Sequence, residues 1–215
     1  MRTLGYSIRA ISIAEVRGLC EQFHGYGSAG NTAVYCFGVV ESGQIVAAYA
    51  WQPPPPGAAH AVCPEAPHGI LALSRMVAVP RDQRVLNHVS KPLRRQMRAL
   101  IDRTRWPVLI TYSDEGQGHT GHVYKCSGWQ RTASESRPFF VDARGRRVSS
   151  YSNGRHRDCD LRRGGVTTIN RWEHWSCERG HALRWMKSFG WEKQPIPGRF
   201  WRSGNQAFTY VKRAA

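Results

Sequence analysis

Leu71-Ala72-Leu73-Ser74-Arg75-Met76-Val77-Ala78-Val79-Pro80 is an apolar run stopped by a proline, and it opens the stretch, residues 71–129, that decides the fold. An arginine-rich turn follows, Arg81-Asp82-Gln83-Arg84, then a helix-like run over 85–103 and a second apolar strand, Val108-Leu109-Ile110-Thr111-Tyr112. Two strands separated by a crossover of this length form a βαβ unit and lie parallel, because an antiparallel pair needs only a short turn. Ligands of open α/β sheets collect beyond the strand ends, where helix N-termini point. The chemistry is therefore expected at residues 80–88 and 113–124.

Upstream, Tyr6-Ser7-Ile8-Arg9-Ala10 reads as a first strand, and Ser12-Ile13-Ala14-Glu15 as a capping box. The helix it starts is expected to reach about residue 23, with Ile13, Val16, Leu19, Cys20 and Phe23 on one face. A glycine-rich loop, 24–31, carries His24 and Tyr26, two side chains able to handle protons. Residues 34–40 and 44–51 read as a hairpin turned at Glu41-Ser42-Gly43. Pro53 to Pro56 end its second strand, and 58–68 reads as a loop. Downstream, 137–141 reads as a strand, 142–147 as a basic turn, 149–168 as a surface loop, 170–189 as a helix and 206–212 as a final strand.

The net charge is +16 and the pI near 10.3. Residues 144–215 hold 16 Lys/Arg against five Asp/Glu, a bias that favours a polyanion such as nucleic acid. Trp172, Trp175, Trp185, Trp191 and Trp201 sit among these arginines, and aromatics stack on exposed bases. The plainer readings are a solvated cationic surface and a small core of indoles. The six cysteines form no C-x-x-C, no window is long and apolar enough to span a bilayer, and no leader is evident, so reduced thiols in a cytoplasm are expected.

Asp114, at a strand's C-terminal end, is placed to take a proton from an amine; the alternative is a turn-capping carboxylate. Tyr124 is a candidate acid or a packing residue, and His24 with Tyr26 would line the opposite wall. His119 and His122 form an H-x-x-H near Asp114 and are candidate ligands for a metal such as iron; His60, Cys63 and His68, and His174, Cys177 and His181, are further sets, none with zinc-finger spacing.

Helix, hairpin, then strand–arginine turn–helix–strand and Tyr124-x-x-x-Gly128-Trp129 resembles the GNAT N-acyltransferase superfamily. The resemblance implies an α/β fold, a mixed sheet flanked by helices, over about residues 5–141. It also implies an acyl-CoA-type donor, with the backbone of Val77 and Val79 on the pantetheine arm and Arg81, Arg84 and Asn87 in the pyrophosphate-loop position. That loop usually reads Q/R-x-x-G-x-G/A, whereas Arg84-Val85-Leu86-Asn87-His88 has neither glycine, and glycine lets backbone approach phosphate closely. Acetyl-CoA is therefore expected to bind weakly or not at all.

More closely, Leu73-Ser74-Arg75-Met76, the run from Tyr112 to Tyr124, and Arg171-Trp172-Glu173-His174-Trp175 resemble the Mom family of phage DNA-modification proteins. That resemblance implies transfer of a carbamoylmethyl group to the exocyclic amine of adenine in double-stranded DNA, protecting phage DNA from restriction in the cytoplasm of the bacterial host. The base would be flipped out of the duplex at a cost of a few kcal/mol. In that reading Asp114 is the base, Tyr124 the acid, and Ser74 and Arg75 orient donor or base. Residues 1–143 would be the catalytic domain and 144–215 a basic C-terminal extension packing on it, with Arg144, Arg146, Arg147, Arg155, Arg162 and Arg163 on DNA. The alternatives are a GNAT acetyltransferase acting on a protein or small amine, and a catalytically inert phage DNA-binding protein.

Overall fold

The computed structural model describes residues 5–25, 33–103, 106–143, 145, 147–148, 161–188, 191–200 and 206–212; Tyr26, Arg144, Arg146 and Arg155 lie outside the described residues. Along the chain run β1 (Ser7–Ala10), α1 (Ile13–Phe23), β2 (Tyr35–Glu41), β3 (Gln44–Gln52), α2 (Pro56–Val62), β4 (Ile70–Ala78), α3 (Ser90–Arg103), β5 (Val108–Asp114), α4 (His122–Cys126), β6 (Gln130–Val141), β7 (Arg147–Val148), β8 (Arg162–Trp175), α5 (Arg179–Ser188), β9 (Trp191–Phe200) and β10 (Gln206–Lys212).

Eight of these strands form one sheet in the order β1-β2-β3-β4-β5-β8-β6-β7, and β9 pairs with β10 in a separate two-stranded ladder. β4 and β5 run parallel, as the α3 crossover requires; their neighbours pair antiparallel. The β2–β3 turn places both Ser42 (φ 47) and Gly43 (φ 82) in the left-handed region, the twist that a tight hairpin favours. Ser12 caps α1 as its sequence pattern requires: its side chain accepts from the Glu15 backbone N–H, and the Glu15 carboxylate accepts from the Ser12 backbone.

The central strands are apolar on both faces because both are covered. On one face Leu71, Leu73 and Leu109 pack with Leu93, Met97 and Leu100 of α3 and with Trp129. On the other, Ile70, Ala72, Val108 and Ile110 pack with Ala59 and Val62 of α2 and Ala182 and Met186 of α5. Val16 and Cys20 of α1 cover Ala48, Ala50 and Val77.

Several expectations change. Residues 58–62, expected as loop, belong to α2, which starts at Pro56, where a missing N–H is harmless. The strand expected over 137–141 begins at Gln130. The helix expected over 85–103 begins at Ser90. The largest change is β8, which takes in residues expected partly as loop and partly as helix, and lies between β5 and β6. The chain beyond residue 143 supplies β7 and β8 to this sheet, and α5 packs against it.

Candidate active-site cleft

β4 and β5 pair only at Ile70–Val108, Leu71–Leu109 and Ala72–Ile110. Beyond that point β4 stays with β3 and β5 with β8, so the two strands part and open a cleft in the middle of the sheet. β4 also bulges there: its register jumps from Leu73–Trp51 to Arg75–Ala50, leaving Ser74 as the extra residue. The Ser74 hydroxyl donates to the Ala50 carbonyl (3.0 Å), and Arg75 Nη1 donates to the Ser74 carbonyl (2.7 Å). A bulge re-aims the side chains that follow it; here Met76 packs on the α3 face and Val77 on the α1 face.

Two cavities meet in the cleft. The larger, about 590 Å³, is bordered by Pro54, Pro55 and Ala58 near α2 and by Phe139 of β6. The smaller, about 300 Å³, is bordered by His24 and by the turn from Gly118 to Tyr124. Ser74, Arg75, Tyr112, Asp114 and Ile169 line both. Ser74, Arg75, Asp114, Tyr124 and His24, widely separated in sequence, thus gather around one opening.

Asp114 is 6% exposed and its carboxylate is tightly held. Oδ1 accepts from the Gly116 backbone N–H (3.0 Å) and from the Thr167 hydroxyl, and Arg147 Nη1 spans both oxygens at 3.3 and 3.2 Å. It is both a cap on the following 3-10 turn and one half of a buried ion pair. Arg147, expected on DNA phosphates, holds the Asp114 carboxylate from behind: its side chain is 10% exposed and its guanidinium lies 3.6 Å from the Phe139 ring centroid. Arg162 and Arg163 do lie on an exposed stretch of β8.

Tyr124 is buried, tilted against Trp129 and Trp172 with ring centroids 5.9 and 6.0 Å away. Burial pushes its phenol up from the ordinary tyrosine value, against a hydrogen bond with the Thr111 side chain, so it stays protonated. Trp172 donates its indole N–H to the Ser113 hydroxyl at 2.9 Å. This indole, expected to meet bases or to fill a separate C-terminal core, is a strut of the cleft.

His24 is pushed down to about 4, first by burial and then by the charges of Arg75 and His119. It is a neutral imidazole at physiological pH. Between pH 6.5 and 4 the unfolded chain takes up a proton that the folded site refuses, so stability should fall as pH drops through that window. Urea unfolding at pH 7 and pH 4.5 checks this: His24→Gln should lose less stability than wild type, and equal losses would mean His24 titrates normally.

The two histidines expected to hold a metal have different neighbours. His119 faces His24, ring centroids 6.2 Å apart, while His122 Nε2 lies 3.4 Å from Cys126 Sγ one turn along α4. Among the described residues no three His, Cys, Asp or Glu side chains converge as a metal site. Likewise His174 bonds the Gly128 carbonyl and Cys63 bonds Glu65 instead of sharing ligands with the histidines near them in sequence.

The residues expected to hold acyl-CoA divide. Beyond Ala72, β4 has no ladder pairing with β5, although the Leu73 carbonyl accepts from the Thr111 hydroxyl (3.0 Å) and the Ser74 carbonyl from Arg75 (2.7 Å). Val77 itself is buried under α1, and the Val79 N–H is spent on the Val46 carbonyl (2.9 Å). The loop beyond does not fit a diphosphate. The Val85 N–H donates to Glu41 Oε2 (2.8 Å), and Glu41 is 7% exposed. Arg84 donates to the Val79 carbonyl at 3.0 Å and to that of Leu86. An internal carboxylate thus takes the N–H a phosphate would need and would repel one, while Arg81 and Asn87 lie exposed. Calorimetric titration with acetyl-CoA should accordingly show no micromolar binding; micromolar affinity lost on joint substitution of Arg81 and Arg84 by alanine would restore the diphosphate site.

No described helix is long and apolar enough to cross a membrane. No curated protein matches the chain. Among solved structures it is similar to a spermidine N-acetyltransferase from Vibrio cholerae in complex with CoA and spermine, at a TM-score of 0.50 and 8% identity, covering 80% of this chain and 96% of that one. It is also similar to a chimera of the Vibrio cholerae enzyme SpeG and hSSAT, at 0.51 and 9%, covering 84% and 99%. At identities this low the likeness shows the fold alone, the GNAT-like mixed sheet flanked by helices. The Mom protein family matches residues 5–186, from the approach to β1 through most of α5, so the chain belongs to the Mom protein family.

Proposed function

We propose that this chain is a DNA-modifying transferase that places a carbamoylmethyl group on the exocyclic amine of adenine and so shields phage DNA from restriction in the bacterial host. The observation that carries the reading is the split between β4 and β5, with Asp114 in the wall shared by two cavities, in a chain of the Mom family. Two cavities on one opening suit a reaction between two bound partners, donor on one side and acceptor on the other. The uneven charge suits a polyanionic acceptor.

In this reading the adenine amine is extruded toward Asp114, since it is inaccessible within a paired duplex. As the new N–C bond forms, the nitrogen turns cationic and strongly acidic, so even a carboxylate held by Arg147 is base enough to take its proton. Tyr124, kept neutral by burial, gives a proton to the leaving group from the smaller cavity. Neutral His24 beside Arg75 bounds that cavity without adding charge; Tyr26 is proposed with it. Arg75, re-aimed by the Ser74 bulge, orients the donor. An acyl donor would leave a carbonyl on the amine, whereas a carbamoylmethyl group joins through its methylene. The donor in this reading is therefore an electrophilic methylene compound with no need of a diphosphate.

Mass analysis of nucleosides from cells expressing the chain tests the proposal. A heavier adenine nucleoside in wild-type DNA supports it. Unmodified DNA alongside acetylated protein or polyamine would replace it with ordinary N-acetylation, and unmodified DNA with binding retained would leave a DNA-binding protein.

A further inference from the structure

Within β5, residues Val108, Leu109 and Ile110 are fully buried, yet Tyr112, two residues on, is 40% exposed. Strand alternation puts Tyr112 on the face of Ile110, the face that α2 and α5 cover lower down. At Tyr112 that cover has ended and the β4 neighbour has swung away, so a large aromatic ring stands in the floor of the larger cavity. Its cross-strand partner is Arg171, and Arg75 and Arg137 border the same cavity. Pro54, Pro55 and Phe139 supply flat apolar walls. Asp114, next but one along β5, shares the face with Tyr112.

We infer that the larger cavity is a base pocket and that Tyr112 is the platform on which an extruded purine of DNA stacks, its exocyclic amine turned toward Asp114. This rests on the DNA-modification reading above and adds the subsite for the base. An exposed ring inside a cavity is the sequence-tolerant element of single-base capture, because every base presents a π-face. Arg171 pairs with Glu173 (2.9 Å) and Arg137 with Glu135 (2.6 Å), so the rim of the cavity carries both signs of charge. The cavity volume of about 590 Å³ lies within the range of small-ligand pockets. The donor is left with the smaller cavity, on the Tyr124 side of Asp114.

The test uses the full chain and two duplexes of one sequence, one fully paired and one with a single unpaired 2-aminopurine. Tyr112→Ala should weaken binding to the unpaired-base duplex by about 5- to 150-fold and abolish quenching of the 2-aminopurine fluorescence, with little change on the paired duplex. Tyr112→Phe should behave as wild type on both, because the ring rather than the hydroxyl carries the stack. Equal losses of Tyr112→Ala on both duplexes, or full quenching retained by it, would overturn the platform. Thermal unfolding of each variant separates loss of fold from loss of stacking. Nucleoside mass analysis keeps the two proposals apart: modified adenine from wild type with full quenching by Tyr112→Ala sinks only the platform. Unmodified adenine with ring-dependent quenching sinks the modification reading and keeps the pocket.

Discussion

Asp114→Asn should reduce adenine modification by about 10²- to 10⁴-fold, the range expected when a proton-transfer group is lost. The amide keeps the shape of the carboxylate, so the Gly116 and Thr167 contacts to Oδ1 can persist. Asp114→Ala is a different experiment. It leaves the Arg147 guanidinium, 10% exposed, without its carboxylate, and breaking one side of a buried pair costs about 3–5 kcal/mol. Asp114→Ala with Arg147→Met should recover much of that stability while activity stays lost. Urea unfolding and nucleoside mass analysis, run on the same three variants, separate the two roles. Modified adenine at wild-type yield from Asp114→Asn would remove Asp114 from proton transfer and leave it as the cap of its turn.

Gly121→Ala should be nearly as damaging, through packing rather than chemistry. Gly121 precedes α4 with φ 74, a left-handed conformation that costs an L side chain about 1–2 kcal/mol. A methyl there would also land inside the Trp172 indole, and overpacking of this kind adds about 1–3 kcal/mol. Together these correspond to a fall in Tm on the order of 10 °C for a chain of this size. Relief of the clash would push Trp172 away from Ser113 and shift Tyr124, which packs on it. Gly118→Ala is the control: its φ is 72, but a methyl there meets nothing within 4 Å, so it should lose only the backbone part. Equal Tm losses in the two variants would show that the Trp172 contact contributes nothing.

Local signals in the sequence suffice where the chain's own neighbours decide the structure. The Ser12–Glu15 capping box, the Ser42-Gly43 turn and the parallel β4–α3–β5 unit each depend on residues close in sequence. β8 was hidden because Trp172 and Trp175 stand three apart, which imitates a helical face, and because Gly164-Gly165 looks like loop. Its strand character comes from two neighbours, β5 and β6, that no local window contains. The cleft was half legible. Asp114, Tyr124, Ser74, Arg75 and His24 are candidates by residue type and position, and the structure brings them to one opening. The inward turn of Arg147 is not legible because a basic run carries no mark of which cation turns inward; its partner lies 33 residues away. Tyr112 was passed over because it closes an apolar strand, and only the end of the α2 and α5 cover exposes it. Glu41 was read as part of a turn, since its bond to Val85 spans 44 residues.

The position of β8 also governs when the cleft can come into being. β5 presents its edge as soon as residues 108–114 leave the ribosome, but the strand that must lie beside it arrives only with residues 162–175. At about 5–20 residues per second, β5 waits several seconds with one edge bare. Long-range pairing of this kind is slow to nucleate and leaves a sticky edge meanwhile. A nascent chain therefore holds Asp114 without Thr167, and Tyr124 without Trp172, until residues 162–175 have been made. The cleft is therefore complete only once β8 slots between β5 and β6.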